Sequence, residues 1–294
     1  MPELPEVEVV TRGLNKFLTG KIFSNVVIHN PSSFPNDPQI VQSFLIGGRI
    51  LSVRRRAKMI IIDVDSSYAL VIHLKMTGQL VYRAQDQDQN WGGGHPNNSL
   101  IGELPDKSTR VEMLFDDGSK LFFNDQRKFG WVKLFPDAEV ANIKFMQTLG
   151  PEPLEMSFTP KVFIQRVRTR ARTNIKAVIL DQTVLAGVGN IYADESLFLA
   201  GIHTTRLVMN LTDKELTKLH IMILSVLQTS IDKGGSSSRN YVDATGAKGN
   251  YLDNAYVYGR TGLACRVCDS PIEKIRVAGR GTHFCINCQP LEGS

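Results

Sequence analysis

Four cysteines, all within the last 30 residues, form two C-x2-C pairs, Cys265-Arg266-Val267-Cys268 and Cys285-Ile286-Asn287-Cys288, with 16 residues between them. Two knuckles at this distance can set four thiolates tetrahedrally around one zinc ion at about 2.3 Å. A redox dithiol normally occurs as a single pair, and in a reducing compartment clustered cysteines favour metal over disulfides. Between the pairs, residues 272–277 and 282–284 read as short strands joined by Gly279-Arg280-Gly281. This is a zinc ribbon, a hairpin too small to fold without its metal, with Arg280 at its tip as a ready phosphate contact.

The other end of the chain offers a nucleophile. Met1 precedes a small residue, so its removal is expected, and that frees a secondary amine on Pro2. An α-amino group titrates near pH 8, roughly two units below a lysine, so a useful fraction is unprotonated at neutral pH. Glu3 and Glu6 follow it directly. On their own they read as acids at the positive end of a helix dipole, with Pro5 suited to the first turn.

The elements that must carry these groups change character along the chain. Val7, Val10, Leu14 and Phe17 give the first helix one apolar face, and Gly20 breaks it. From Ile22 to Phe135 the pattern is strand-like, as at 49–56, 59–64, 69–74, 111–115 and 120–123, with turn signals such as Asp116-Asp117-Gly118 between them. Short strands so spaced predict a β-sandwich or barrel. Residues 85–105, with Asp-Gln repeats and Gly92-Gly93-Gly94, read as a long mobile surface insertion. Past Gly150-Pro151-Glu152-Pro153 the periodicity is helical over 160–169, 174–180, 191–199 and 213–233. Thr212 and Glu215 have capping-box spacing. Short strands are expected to resume at 255–258 and 273–277.

Composition sets the class. The chain has 294 residues, 42% hydrophobic and 21% charged, enough for a real core in two domains with a small appended module. The net charge of +5 suits a polyanionic partner. From Met156 to Leu180 there is no acid, while Lys161, Arg166, Arg168, Arg170, Arg172 and Lys176 all fall inside. No apolar run approaches the roughly 20 residues of a membrane span, and no signal-peptide pattern opens the chain. The expectation is a soluble monomer, cytoplasmic or, in a eukaryote, organellar.

Several separated motifs carry a family resemblance: the Pro2–Glu8 start, Arg56-Ala57-Lys58, His73-Leu74-Lys75-Met76-Thr77-Gly78, Asp125-Gln126-Arg127-Lys128-Phe129-Gly130, Gly187-Val188-Gly189-Asn190-Ile191-Tyr192, Val257-Tyr258-Gly259-Arg260 and the ribbon. Together they resemble the formamidopyrimidine-DNA glycosylases over nearly the whole chain, the 85–105 insertion excepted. The resemblance implies an α+β multidomain protein. Residues 2–136 would be a catalytic β-sandwich domain with a nucleophile-bearing N-terminal helix, and 137–153 a linker. Residues 154–252 would be a helix–two-turn–helix domain with a lesion-capping loop, and 253–290 a zinc finger.

It also implies roles. Pro2 attacks the sugar, Glu3 transfers protons, Lys58 contacts phosphate at the lesion and supports catalysis, and Glu6 orients or balances the amine. Unstacking a base costs a few kcal/mol and leaves a gap, which Met76, Arg127 and Phe129 match as void fillers, although periodicity alone reads Met76 and Phe129 as core. His73, Lys176, Asn190 and Arg280 match phosphate contacts, and 236–251 matches the loop that closes over the extruded base. Cys265, Cys268, Cys285 and Cys288 hold one structural zinc. The implied partner is damaged duplex DNA, and the implied activity is excision of oxidised purines with strand cleavage. Two alternatives stand beside it: an endonuclease VIII-like enzyme for oxidised pyrimidines, and a non-catalytic zinc-finger damage sensor. The former typically has Gly where Leu4 stands here. One position departs from the family, Ser108, where a DNA-contacting histidine is common.

Overall fold

The computed structural model describes residues 2–86, 90–95, 97–236 and 250–291. These divide into two compact units, the described parts of Met1–Gln147 with Lys233–Asn250, and of Thr148–Asp232 with Tyr251–Ser294.

The first unit opens on α1 (Leu4–Leu18). Nine strands follow: β1 (Phe23–Ile28), β2 (Ile50–Arg56), β3 (Met59–Val64), β4 (Tyr68–His73), β5 (Gly78–Arg83), β6 (Trp91–Gly94), β7 (Thr109–Phe115), β8 (Lys120–Asp125) and β9 (Trp131–Pro136). They make two antiparallel sheets, of order β1-β7-β8-β5-β6 and β2-β3-β4-β9. Alternate residues point inward, as with Ile60, Ile62 and Val64 of β3, and meet Leu80, Tyr82, Phe123 and Met113 in one apolar core. The β-sandwich read from strand spacing is therefore present. Short helices α2 (Pro38–Phe44), α3 (Asp137–Val140) and α4 (Lys144–Thr148) lie at its connections.

Helix α1 buries Val7, Val10 and Leu14 as its periodicity requires, and touches β2 and β3 of one sheet and β5 and β6 of the other. Its other partner overturns an expectation. The described part of the 85–105 insertion is not a mobile appendage. Residues Trp91–Gly94 form the edge strand β6, paired with β5 from Gln79↔Gly94 to Tyr82↔Trp91. Trp91 is 2% exposed and belongs to the main core. Glycine richness here serves close approach: a Cβ on Gly93 would lie 2.7 Å from Val10, and one on Gly13 of α1 would lie 2.4 Å from the Trp91 indole. Composition looked like a loop because these glycines remove the side chains that mark a strand. Ser108 lies under the same insertion, 4% exposed, its hydroxyl bonded to Asp106 at 2.7 Å and to Ser99 at 3.1 Å.

The second unit holds α5 (Pro160–Arg168), α6 (Ile175–Leu180), α7 (Asn190–Ala200), α8 (Asp213–Asp232) and the hairpin β10 (Glu273–Val277) and β11 (Arg280–Phe284). Side-chain caps start the helices: the reciprocal Thr212–Glu215 box read from sequence, and, not read there, Thr159 on Val162 N at 3.3 Å and Asn174 on Ala177 N at 2.8 Å. The strand expected at 255–258 does not form. Its amides turn instead to one carboxylate, Glu195 of α7, which accepts from Tyr256, Val257 and Tyr258 at 2.8–2.9 Å.

Trp91→Ala is expected to cost about 3–5 kcal/mol in denaturant unfolding. Gly13→Ala alone should destabilise by about 1–3 kcal/mol through overpacking. In the Trp91→Ala background the Gly13→Ala penalty should vanish or reverse, since alanine favours a helix by about 1 kcal/mol over glycine. Equal penalties in both backgrounds would contradict this contact.

Candidate functional site

The chain start is held by its own side chains. Pro2 is buried, and Glu3 and Glu6 are each 5% exposed. Glu3 is the N-cap of α1 and forms a reciprocal capping box with Glu6, whose Oε2 accepts the Glu3 amide at 2.8 Å. The other Glu6 oxygen accepts the Ser236 amide at 2.7 Å. Gly235 makes that approach possible: its φ is +94°, and a Cβ there would sit 3.3 Å from Glu6 Cγ. The stretch expected to cap an extruded base begins at Ser236; residues 237–249 lie outside the described residues.

Lys58 sits in the two-residue turn that joins β2 to β3, after Ala57 with φ 52°. The turn is tied to α1 by Arg55, which bonds Glu8 at 2.7 Å and the Ala57 carbonyl at 2.9 Å. Burial opposes ionisation of Glu8, yet Arg55 and Arg12 hold its carboxyl below the ordinary value. Lys58 is 8% exposed, and it adjoins Met59, the cross-strand partner of His73.

His73 is 7% exposed. Burial, with the positive charges of Lys75 and Lys58, pushes its pKa down to about 3. Its Nδ1 accepts the Lys75 amide at 3.0 Å, so the neutral ring carries its proton on Nε2. A neutral N–H is the phosphate contact this residue can offer, and its companions Lys58 and Lys75 supply charge.

Met76, Arg127 and Phe129 stand at two tips of the sandwich. Met76 is 37% and Phe129 54% exposed, so neither is core. The Arg127 guanidinium lies 4.8 Å from the Phe129 ring centroid. Exposed apolar and stacking groups beside a guanidinium suit insertion between bases and donation to a base edge.

In the second unit the turn before α7 is clasped by Gln182, which donates to the Leu180 and Val188 carbonyls at 3.0 and 2.9 Å and accepts the Gly187 amide at 2.9 Å. Asn190 then starts the helix half-exposed, its Nδ2 donating to the Gly281 carbonyl at 2.9 Å. Arg280 is exposed, at the first position of β11 after the Ala278-Gly279 turn, and no described residue pairs with its guanidinium.

Lys176 departs from its expected role. It is wholly buried, forms an ion pair with Asp194 at 2.6 Å, and donates to Thr282 Oγ1 at 2.6 Å. No phosphate can reach it there; it is an internal post under β11. Asp194 also accepts from the His283 amide at 2.9 Å. Asp194 and Glu195, adjacent on α7 and both 0% exposed, thus tie down β11 and the approach to the ribbon, and motif reading missed both. The available signal was an acidic pair in an otherwise uncharged helix, four and five residues after Asn190.

The four cysteine sulfurs lie within 4.8 Å of one another, with contacts of 3.4, 3.5 and 3.8 Å. Tetrahedral zinc with bonds of about 2.3 Å requires sulfurs about 3.8 Å apart. A disulfide would need about 2.0 Å. The cluster fits one structural zinc ion held by Cys265, Cys268, Cys285 and Cys288.

Sequence comparison matches the chain to the Formamidopyrimidine-DNA glycosylase N-terminal domain over residues 1–132 and the Formamidopyrimidine-DNA glycosylase H2TH domain over 149–242. The zinc finger found in FPG and IleRS matches 262–291. The chain is 40% identical over 291 residues to the formamidopyrimidine-DNA glycosylase of Pediococcus pentosaceus, covering 99% of this chain and 100% of that one. Its fold is similar to a Lactococcus lactis FPG mutant in complex with Fapy-dG-containing DNA, with TM-score 0.86, 34% identity and coverage of 98% and 100%. The wild-type Lactococcus lactis protein with DNA containing an oxidised pyrimidine is also similar, with TM-score 0.84, 33% identity and coverage of 98% and 100%.

Two measurements check these assignments. Because the folded His73 resists protonation down to about pH 3 while an unfolded histidine takes a proton near 6.5, its contribution to stability is complete above pH 6.5 and is lost as pH falls toward 3. Urea unfolding at pH 7.5 and pH 5 should show a loss of up to about 2 kcal/mol that His73→Gln removes; an identical pH slope in both proteins would contradict a buried neutral ring. Lys176→Met should destabilise by about 3–5 kcal/mol by stranding the Asp194 charge. Arg280→Ala should leave stability within about 0.5 kcal/mol and flatten the log affinity–log salt slope for duplex DNA by about one. The reverse pattern would put Lys176 on the phosphates.

Proposed function

The chain belongs to the formamidopyrimidine-DNA glycosylase family, and from that premise we propose how its residues divide the reaction. The protein is a DNA glycosylase with associated lyase activity, acting on oxidised purines in damaged duplex DNA, with one structural zinc. Pro2, freed of Met1, is the nucleophile. Its secondary amine attacks the sugar C1′ as the glycosidic bond breaks, so the base departs with its bonding pair and the amine gives up its proton. Protonation of the ring oxygen O4′ then breaks the C1′–O4′ bond and leaves an open-chain iminium on Pro2. That iminium is necessarily cationic and acidifies the C2′ hydrogen, so β- and then δ-elimination cut the strand.

Glu3 is the proton-transfer group, oriented by the helix cap it forms. Glu6 orients the start of α1 through the Glu3 amide and is linked to the segment at Ser236. Lys58 engages the phosphate at the lesion, where the turn between β2 and β3 presents it, and His73 donates from its neutral ring. Met76 and Phe129 fill the gap left by the everted base and Arg127 reads the base opposite, which favours cytosine. Asn190 and Arg280 grip the backbone, carrying affinity without sequence information. Zinc preserves the hairpin that displays Arg280 and takes no part in bond breaking. The observation that carries this reading is the buried, doubly bonded chain start at Pro2, Glu3 and Glu6, which an ordinary fraying terminus would not need.

The test uses duplexes with 8-oxoguanine opposite cytosine or with thymine glycol, in the presence and absence of borohydride. The 8-oxoguanine duplex should be cleaved faster and yield a trapped covalent adduct. Pro2→Gly, or retained Met1, should lose the adduct by about 100-fold or more while duplex binding persists. Preference for thymine glycol would move the chain to the pyrimidine-directed reading, and no adduct from an intact terminus would leave a damage sensor.

A further inference from the structure

The two exposed tips are joined beneath the surface. Met76 lies in the turn between β4 and β5, which is tight: the Gly78 amide donates to the Leu74 carbonyl at 2.9 Å, and a Cβ on Gly78 would come within 2.4 Å of that oxygen. Arg127 and Phe129 lie in the turn between β8 and β9, with Lys128 at φ 58°. Asp125 ends β8 opposite Gly78 of β5 and is 1% exposed. Its Oδ2 accepts the Gly130 amide at 2.7 Å and its Oδ1 the Arg127 amide at 3.1 Å, so its carboxylate grips its own turn from both sides.

That alone would be a local turn lock. The hydroxyl of Thr77 changes its reach. It donates to Asp125 Oδ1 and accepts the Arg127 amide at 3.1 Å, so a single oxygen from the Met76 turn is bonded into the Arg127 turn. Thr77 is 8% exposed, and polar groups buried this far are costly unless their bonds are made.

We propose that Thr77 and Asp125 form a staple that fixes the Met76 tip to the Arg127–Phe129 tip, so that the three side chains enter the duplex as one rigid wedge. Both are positioning residues, since neither reaches the substrate. The inference rests on the reading that these tips fill the void. Two independent turns would each have to find their place in the stack and would each lose freedom on insertion; a stapled pair has already done so. The staple also holds the arginine that reads the opposite base at a set distance from the methionine that fills the gap. Base eviction and opposite-base reading thereby become one event.

Thr77→Val keeps shape and removes the hydroxyl, and Thr77→Ser keeps the hydroxyl. Single-turnover excision of 8-oxoguanine opposite cytosine should fall about tenfold in Thr77→Val and stay within about twofold of wild type in Thr77→Ser. Arg127→Ala should cost less in the Thr77→Val background than in wild type, because a loosened wedge no longer delivers the guanidinium. Borohydride trapping on a single-stranded abasic oligonucleotide, which has neither a base to evict nor a partner strand, should be unchanged within about twofold in Thr77→Val. Wild-type excision by Thr77→Val with fully additive Arg127→Ala would overturn the staple. So would an equal loss of duplex excision and single-strand trapping, since that marks a general loss of fold. An Arg127→Ala protein that excises like wild type would sink the void-filling reading itself, whatever Thr77→Val does, and the staple with it.

Discussion

A nucleophile carried on the start of a chain must be held still, because chain termini fray unless something ties them down. Much of the first unit answers that constraint. Glu3 and Glu6 cap α1 reciprocally, and Glu6 extends the tie to Ser236. The apolar face of α1 is buried, and the edge strand β6 packs against it at Val10 and Gly13 through Trp91 and the glycines that let it approach. Arg55 joins the same helix to the turn bearing Lys58. The groups assigned to the chemistry are thus attached to one rigid helix or to the strands beside it.

The second unit solves a different problem, how to display the exposed Arg280 beside the turn of a hairpin of ten strand residues. Metal pins one end. A buried carboxylate pair on α7 braces the same side, with Asp194 taking Lys176 and the His283 amide two residues before Cys285, and Glu195 taking the three consecutive amides of Tyr256, Val257 and Tyr258 ahead of the hairpin. Asn190 lies one turn before Asp194 on α7 and bonds the residue after Arg280. The two groups proposed to grip phosphate, Asn190 and Arg280, therefore share one scaffold, as a contact that positions DNA without reading it would require.

What could be read from the sequence was what depends on local spacing. The cysteine pairs, the Thr212–Glu215 cap, the apolar stripe of α1 and the short apolar runs of β3 and β4 between turn signals are each written within a few residues of themselves. What could not be read depends on tertiary partners. Lys176 resembled a phosphate contact in its motif, but Asp194, which buries it, lies 18 positions further along. The insertion looked inert because its glycines hide a strand whose meaning resides in the Val10 and Gly13 surfaces it meets. Met76 and Phe129 looked like core because periodicity cannot distinguish an apolar residue facing a neighbour from one at a turn tip.

On the proposed reading the covalent bond to DNA is made by the nitrogen of Pro2. Digestion of the borohydride-trapped complex and sequencing of the modified peptide by tandem mass spectrometry locates that bond. The deoxyribose remnant should lie on the α-nitrogen of Pro2, in a peptide that continues Glu3-Leu4-Pro5. A remnant on the Lys58 side chain would contradict the account, for the carefully held chain start would then be structure without chemistry.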